Sequence, residues 1–350
     1  MMMRKFNLLL TITLICVFNF TKAAILNVSN LPNNPFTYNN VDAAIAAAQP
    51  GDTIYAHGSN IAYPDFTITK SIIIIGTGGF PQTEFGLKSR FDRITFNSNI
   101  SDVVINGIEI VNYHLDFISI TNIHNVLITN CFFSWNNWGN IRFSNLINSS
   151  DIRIFNNVFS GGSQNKIEFG NNTGCFNIII DHNIINGCIV GLNILNTVIQ
   201  NNIFYNPAGT NTFINPCSLA IISNNIFFNA DPKNNTSSCI FNNNISYSTG
   251  SQLTAMGGTN IDNTNPQFVN VPAAGIYSST NNFNLQAGSP CIAAGSDGLN
   301  LGYYGGDEIV APLGEPYNVP VIRVMNIQNP IVPQTGNVNV KVRSTKSRTN

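Results

Sequence analysis

Charge is what this chain most lacks. Only 9% of its 350 residues are Asp, Glu, Lys or Arg, against ~25% in average soluble proteins. The 16 basic and 17 acidic side chains leave a net charge of −1. That balance offers no basic stripe for a phosphate backbone and excludes nucleic acid as a partner class. Lys341, Arg343, Lys346 and Arg348 do gather near the C-terminus, where a solvated tail accounts for them. Cysteine is also sparse, and the spacings of Cys131, Cys175, Cys188, Cys217, Cys239 and Cys291 contain no C-x-x-C pair, which argues against a zinc site. Cys131 and Cys291 stand where neighbouring segments carry aliphatics and read as buried thiols; the spacings assign no disulfide pairing. The four histidines share no metal-ligand spacing. Long apolar runs are missing after the first 23 residues, so no membrane span is expected. The early run, residues 8–20, follows Arg4 and Lys5 and precedes Ala23 and Ala24. This is the pattern of a secretory leader cut after Ala23, and it predicts a soluble, exported protein, extracellular, cell-surface or periplasmic.

What fills the space left by charge is asparagine, about one residue in six. Much of it lies inside apolar segments: VVINGIEI, VLITNCFF, IRIFNNVF, IIIDHNII, VIQNNIFY, IISNNIFF and IFNNNISY. Aligned on the second Asn of each pair or its replacement, the anchors are Gly107, Asn130, Asn157, Asn183, Asn202, Asn225 and Asn244. Three residues before each anchor stand Val104, Leu127, Ile154, Ile180, Ile199, Ile222 and Phe241, and one residue after each stands another apolar side chain or Cys131. A repeat of roughly 20–27 residues, rich in β-branched and aromatic residues and without a leucine-rich frame, predicts a solenoid of stacked coils. A parallel β-helix fits best, each coil supplying two or three short strands. Asn tolerates the non-extended corner conformation. Its amide both donates and accepts, so a column of them satisfies itself as a ladder where one alone would be a defect. Asn130, Asn157, Asn183, Asn202, Asn225 and Asn244 are thus expected to be structural.

These coils resemble the right-handed parallel β-helices of the pectin-lyase-like superfamily, over roughly residues 40–306. VDAAIAAAQPGDTIYAHG is similar to the opening of that family, with an amphipathic helix capping the first coil, and NFNLQAGSPCIAAGSDGLNLGYYGG is similar to its closing segment, from which Cys291, Ala294 and Asn300-Leu301-Gly302 depart. The expected architecture is all-β: a leader (1–23), a β-helix domain (24–306, with cap 40–50, coils about 51–250 and closing segment 251–306), and a Pro-rich extended tail with one or two strands (307–350). The resemblance implies contact with polysaccharide along an outer strand face and leaves activity open.

Within that frame, few side chains can carry chemistry. If Ile141, Phe143, Ile167 and Phe169 point inward, strand alternation turns Arg142, Lys166 and Glu168 outward on adjacent coils, with Asn193 and Asp116 joining the same face. As a lyase this face would use Lys166 as base, Arg142 against a uronate carboxylate, and Glu168 with Asp116 as calcium ligands. A glycoside hydrolase needs a carboxylate pair and is the weaker alternative. As a surface ion-pair cluster the same residues only solubilise a charge-poor wall. Trp135 and Trp138 offer flat faces for sugar stacking. The Asp181-His182 pair is superficially like a calcium-binding pectate-lyase strand end, but the remaining ligands are missing, so both are read as corner residues. The leading expectation is a non-catalytic, polysaccharide-contacting scaffold.

Overall fold

The computed structural model describes residues 23–78, 87–134, 139–160, 165–205, 213–214, 217–229, 231–232, 236–248, 253–254, 258–272, 277–308 and 310, and the backbone of 320–327 and 340–346. The leader residues 1–22 and both tryptophans, Trp135 and Trp138, lie outside them.

Three parallel sheets of 11, 8 and 6 strands wrap one core; the middle coils pass through all three in turn, and the later ones add strands only to the first two. The first sheet holds the longer strands, from Ile25–Val28 through Ser150–Phe155 to Ile240–Asn242. The second holds strands of two or three residues such as Val158–Phe159 and Ile203–Tyr205. The third runs from Phe66–Ile68 to Cys188–Val190. The chain is therefore a parallel β-solenoid with little helix. Two antiparallel pairs follow it: Phe268–Asn270 with Asn282–Leu285, and Pro320–Ile327 with Val340–Lys346.

Period-two alternation drives this packing. Ile54, Ile74, Ile105, Ile128, Ile154, Ile180, Ile199, Ile222 and Phe241 stand in unbroken register down the first sheet, and all are buried. In the third sheet Phe117, Phe143 and Phe169 stack with ring centroids 4.7 and 5.0 Å apart. Stacked coils place identical side chains one strand spacing apart, so each inward column is a continuous apolar rod.

The short helix Val41–Ala47 is capped by Asn40, whose side chain accepts from the Ala43 amide, and it buries Val41, Ala44 and Ile45. Asp52 ties the turn after it to the residue before the first strand by accepting from the amides of Ala24 and Gln49. Those hydrogen bonds hold the Asp52 carboxyl below its ordinary range.

The asparagine ladder is present, with its first members corrected. Asn157 Nδ2 donates to Asn183 Oδ1 at 3.0 Å, and the same bond links Asn183 to Asn202, Asn202 to Asn225, Asn225 to Asn244 and Asn244 to Asn260. Each Oδ1 also receives the backbone N–H of the Asn one coil earlier, as Asn202 Oδ1 does from Asn183. Asn130 is not a rung of this column, but its buried amide bonds asparagines on both adjacent coils in the neighbouring one, donating to Asn106 Oδ1 at 2.9 Å and accepting from Asn156 Nδ2. Phe132 pairs with Val158, so Cys131 stands above Asn157 and its amide, not that of Asn130, donates to Asn157 Oδ1 at 2.9 Å. The inward columns of those coils are accordingly Ile105 and Ile128 rather than Val104 and Leu127. Asn260, absent from the expected set, closes the ladder.

Asn130 belongs to a second column, made by the first Asn of each pair. Gly107, Asn130, Asn156, His182, Asn201, Asn224 and Asn243 all have φ between 52° and 71°, the left-handed region that Gly and Asn enter most readily. One residue was expected both to bend the chain and to carry the ladder. Two adjacent residues divide these tasks, because a left-handed backbone turns its own side chain out of the line of the ladder.

Candidate functional site

Register places one polar column on the outer wall of the third sheet. Thr67 pairs with Thr95, Thr95 with Asp116, Asp116 with Arg142, and Arg142 with Glu168. The inward neighbours of Arg142 are Ile141 and Phe143, both buried. Asp116, Arg142 and Glu168 thus share the face that alternation predicted for them.

Charges alternate along and beside this column. Arg142 Nε lies 3.8 Å from Asp116 Oδ1 and 3.9 Å from Glu168 Oε2. Arg93 Nε lies 3.9 Å from Asp116 Oδ2 and 3.8 Å from Asp65 Oδ2. The guanidinium of Arg93 sits over the ring of Tyr113 at 4.5 Å, a cation–π contact. Beside the column, burial pulls the His114 imidazole below its ordinary range, against the opposing field of Asp116. Side-chain exposure of 38% for Arg142 against 12% for Asp116 leaves the cation accessible and the carboxylate largely covered.

Two expected members are elsewhere. Lys166 is fully buried, not outward. The register slips between Asn165 and Ile167 against Cys188–Val190, which leaves Lys166 as the extra, unpaired residue of that strand. Burial lowers its ammonium from 10.5 to about 8, partly offset by Cys188. Asn193 is absent from the column, because Val190 takes the place beside Glu168 and Asn193 pairs with Ser218, whose hydroxyl donates to it at 2.6 Å. A calcium ion shared by Asp116 and Glu168 does not fit either. They stand two strands apart, roughly 9–10 Å, with Arg142 between them. Among the described residues no group of three His, Cys, Asp or Glu side chains could hold a metal. A base at Lys166 facing the substrate partner Arg142 is not what this wall presents.

The buried lysine yields a test of its own. Its proton is held less tightly folded than unfolded, so between pH ~8 and ~10.4 the unfolded chain binds more protons and stability rises with pH. Urea midpoints measured across that window should climb for the native chain. Lys166→Met should flatten the rise; an equal rise in both proteins would remove Lys166 as its source.

A second charged cluster was not anticipated. Asp181, fully buried, receives Arg153 Nε at 3.0 Å and Nη2 at 2.5 Å, and His182 Nδ1 lies 3.2 Å from its Oδ2. Glu308, 155 positions away, accepts from the same Arg153 at 3.0 Å. His182 Nε2 meets the carbonyl of Gly305 at 3.1 Å. Here the closing segment reads the left-handed column: Asn243 donates to the Ala294 carbonyl, Asn224 accepts from the Ser296 amide, and the Tyr303 hydroxyl donates to Asn156. Gly306 has no room for a side chain, since a Cβ would lie 2.6 Å from Asn201 Nδ2. The one sequence signal was the paired replacement of Gln-Asn by Asp-His at a corner, which marks a place where something other than solvent is met.

No family model matches the chain, and no curated protein matches it. Among solved structures the fold is similar to ORF18 of Geobacillus virus E2, at 13% identity and a TM-score of 0.35, over 68% of this chain and 59% of that one. It is similar to a rhamnogalacturonan lyase at 11% identity and a TM-score of 0.33, over 66% and 75% of the two chains. A pectin methylesterase in complex with a hexasaccharide is similar at 11% and 0.30, over 67% and 92%. The chain spans about three fifths of the length of the viral protein it matches. The class, a parallel β-solenoid, stands on the strand ladders themselves; likenesses this distant add nothing about activity.

Proposed function

We propose that this chain is an exported, right-handed β-helix protein that holds polysaccharide against the outer wall of its third sheet and does no chemistry on it. The right hand is the one that parallel crossover connections adopt, the helix Val41–Ala47 would close the first coil, and the N-terminal leader would direct export. The observation that carries the reading is the register-locked column Thr67, Thr95, Asp116, Arg142 and Glu168. A flat parallel wall with donors and acceptors alternating from coil to coil suits sugar hydroxyls, which both donate and accept. Tyr113, 41% exposed beside Arg93, adds an aromatic face for a sugar ring. Arg93 and Arg142 each lie between two carboxylates, so among the described residues the column offers no unpaired cation for a uronate, and a neutral glycan is the better match. A lyase would need an accessible base on this face, and Lys166 is buried.

Affinity electrophoresis in gels cast with neutral glucans, mannans and galactans, and with polyuronides, tests this. Retardation by a neutral glycan is expected, weakened at least about fivefold, roughly 1 kcal/mol, in Arg142→Ala. Absorbance of unsaturated products from a polyuronide would overturn the non-catalytic part. No retardation on any glycan would overturn the whole.

A further inference from the structure

We propose that Cys217 and Cys239 are a redox pair that closes into a disulfide and staples the last coils of the solenoid. Cys217 opens the strand Cys217–Ser223, and Cys239 directly precedes Ile240–Asn242 on the next coil. The two coils pair at Ser218 with Ser237 and again at Ile221 with Ile240. Between those points both chains bend through a left-handed residue, Leu219 at φ 63° and Ser238 at φ 55°. The matched bends carry one cysteine to the near side of the corner and the other to the far side, and their sulfurs meet at 3.3 Å. A disulfide needs ~2.05 Å, so closure asks for about 1.3 Å of approach, within reach of side-chain rotation. Other thiols have different partners: Cys131 donates to the Thr129 carbonyl and Cys175 to that of Leu146.

The two sulfurs differ in access. Cys217 is 1% exposed, whereas Cys239 is half-buried at the surface. The pair shares a proton, which holds the more exposed Cys239 below the ordinary thiol range and buried Cys217 above it. Cys239 is therefore the attacking thiolate. With a small-molecule disulfide such as oxidised glutathione as oxidant, Cys239 Sγ displaces one glutathione thiolate and forms a mixed disulfide. Cys217 then loses its proton and attacks Cys239 Sγ, and the second glutathione leaves as a thiolate. Two protein thiols are oxidised, and one glutathione disulfide is reduced to two thiols. The closed loop spans 22 residues and ties the last strand of the first sheet to the strand it pairs with.

The full folded chain is incubated with oxidised glutathione, denatured in iodoacetamide, digested and mapped by mass. A crosslinked peptide pair joining Cys217 to Cys239, two hydrogens lighter than the thiols, is expected, with Cys131, Cys175, Cys188 and Cys291 alkylated. An upward shift of several degrees in Tm, reversed by dithiothreitol, should accompany it. In Cys217→Ser a glutathione adduct should accumulate on Cys239, whereas in Cys239→Ser residue 217 should stay free. Alkylation of both cysteines after oxidation, or a bond from either to another cysteine, overturns the proposal; an adduct on Cys217 but not Cys239 overturns the order of attack.

Discussion

Asn202→Ala is expected to cost roughly 3–5 kcal/mol, far more than an exposed asparagine would. The amide of Asn202 has no slack. Its Oδ1 accepts the Asn183 backbone N–H at 2.9 Å and Asn183 Nδ2 at 3.0 Å. Its Nδ2 faces the carbonyls of Ile180 and Gln200 and Oδ1 of Asn225, at 2.8, 2.8 and 3.0 Å. Alanine leaves the Asn183 N–H buried without an acceptor, which alone costs about 1–3 kcal/mol. It also removes the donor for three oxygens and opens a small cavity. Two companions separate the causes. Asn202→Asp keeps the shape and the acceptor but turns an oxygen toward three acceptors, so it should be at least as damaging at pH 7 and partly recover in acid, where the protonated carboxyl donates once. Asn201→Gly should change stability by less than ~1 kcal/mol, because residue 201 is at φ 53° and glycine accepts that conformation freely. Urea melts give the magnitudes, and exchange of the Asn183 amide gives the local effect. A loss under ~1 kcal/mol in Asn202→Ala, with that amide still protected, would mean the ladder does not hold the coils.

The difference between the two asparagines bears on what could be read beforehand. Repeat spacing and apolar flanks carried the solenoid, its inward columns and the outward grouping of Asp116, Arg142 and Glu168, because period-two alternation within a strand is a local property. Local pattern failed where the register shifts. At Asn130 the pair N-N became N-C, and a polar residue was aligned with the ladder although it fills the neighbouring bend. At Lys166 a register slip beside Cys188 accompanies a side chain that is buried where alternation had it exposed. At Asn193 the strand had already turned at Gly191, φ 73°. At Asn130 and Lys166 the error is one residue, the smallest shift that breaks an alternating pattern; at Asn193 it is three, since Val190 stands beside Glu168. The Asp181 cluster was invisible for a different reason: Glu308 lies 155 positions from Arg153, and no spacing within a repeat can announce a contact made by a segment that folds back across the stack.

That long-range contact supports the other large prediction, that Arg153→Met destabilises the chain by about 2–4 kcal/mol. Removing one partner of a buried ion pair strands the other, and Asp181 is fully buried; the figure is set below the ~3–5 kcal/mol of a wholly enclosed pair because the Arg153 side chain is 32% exposed. Burial pushes the Asp181 carboxyl upward, but hydrogen bonds from His182 and Arg153 outweigh it and hold the carboxyl below its ordinary 3.8. A carboxyl lowered by folding contributes stability that is complete above its unfolded value, near pH 4, and is lost as pH falls through the folded value. The native chain should thus lose this contribution only below pH ~4. Asp181→Asn should blunt the loss, and Arg153→Met/Asp181→Asn should be more stable than Arg153→Met alone, since no charge is then left buried. Because Glu308 shares the guanidinium, Arg153→Met should also speed exchange of the Gly302 amide, which donates to the Asn224 carbonyl where the closing segment crosses the stack. If Arg153→Met matches the native chain in urea and leaves Gly302 protected, the closing segment is held by the asparagine contacts alone and the ion cluster is incidental.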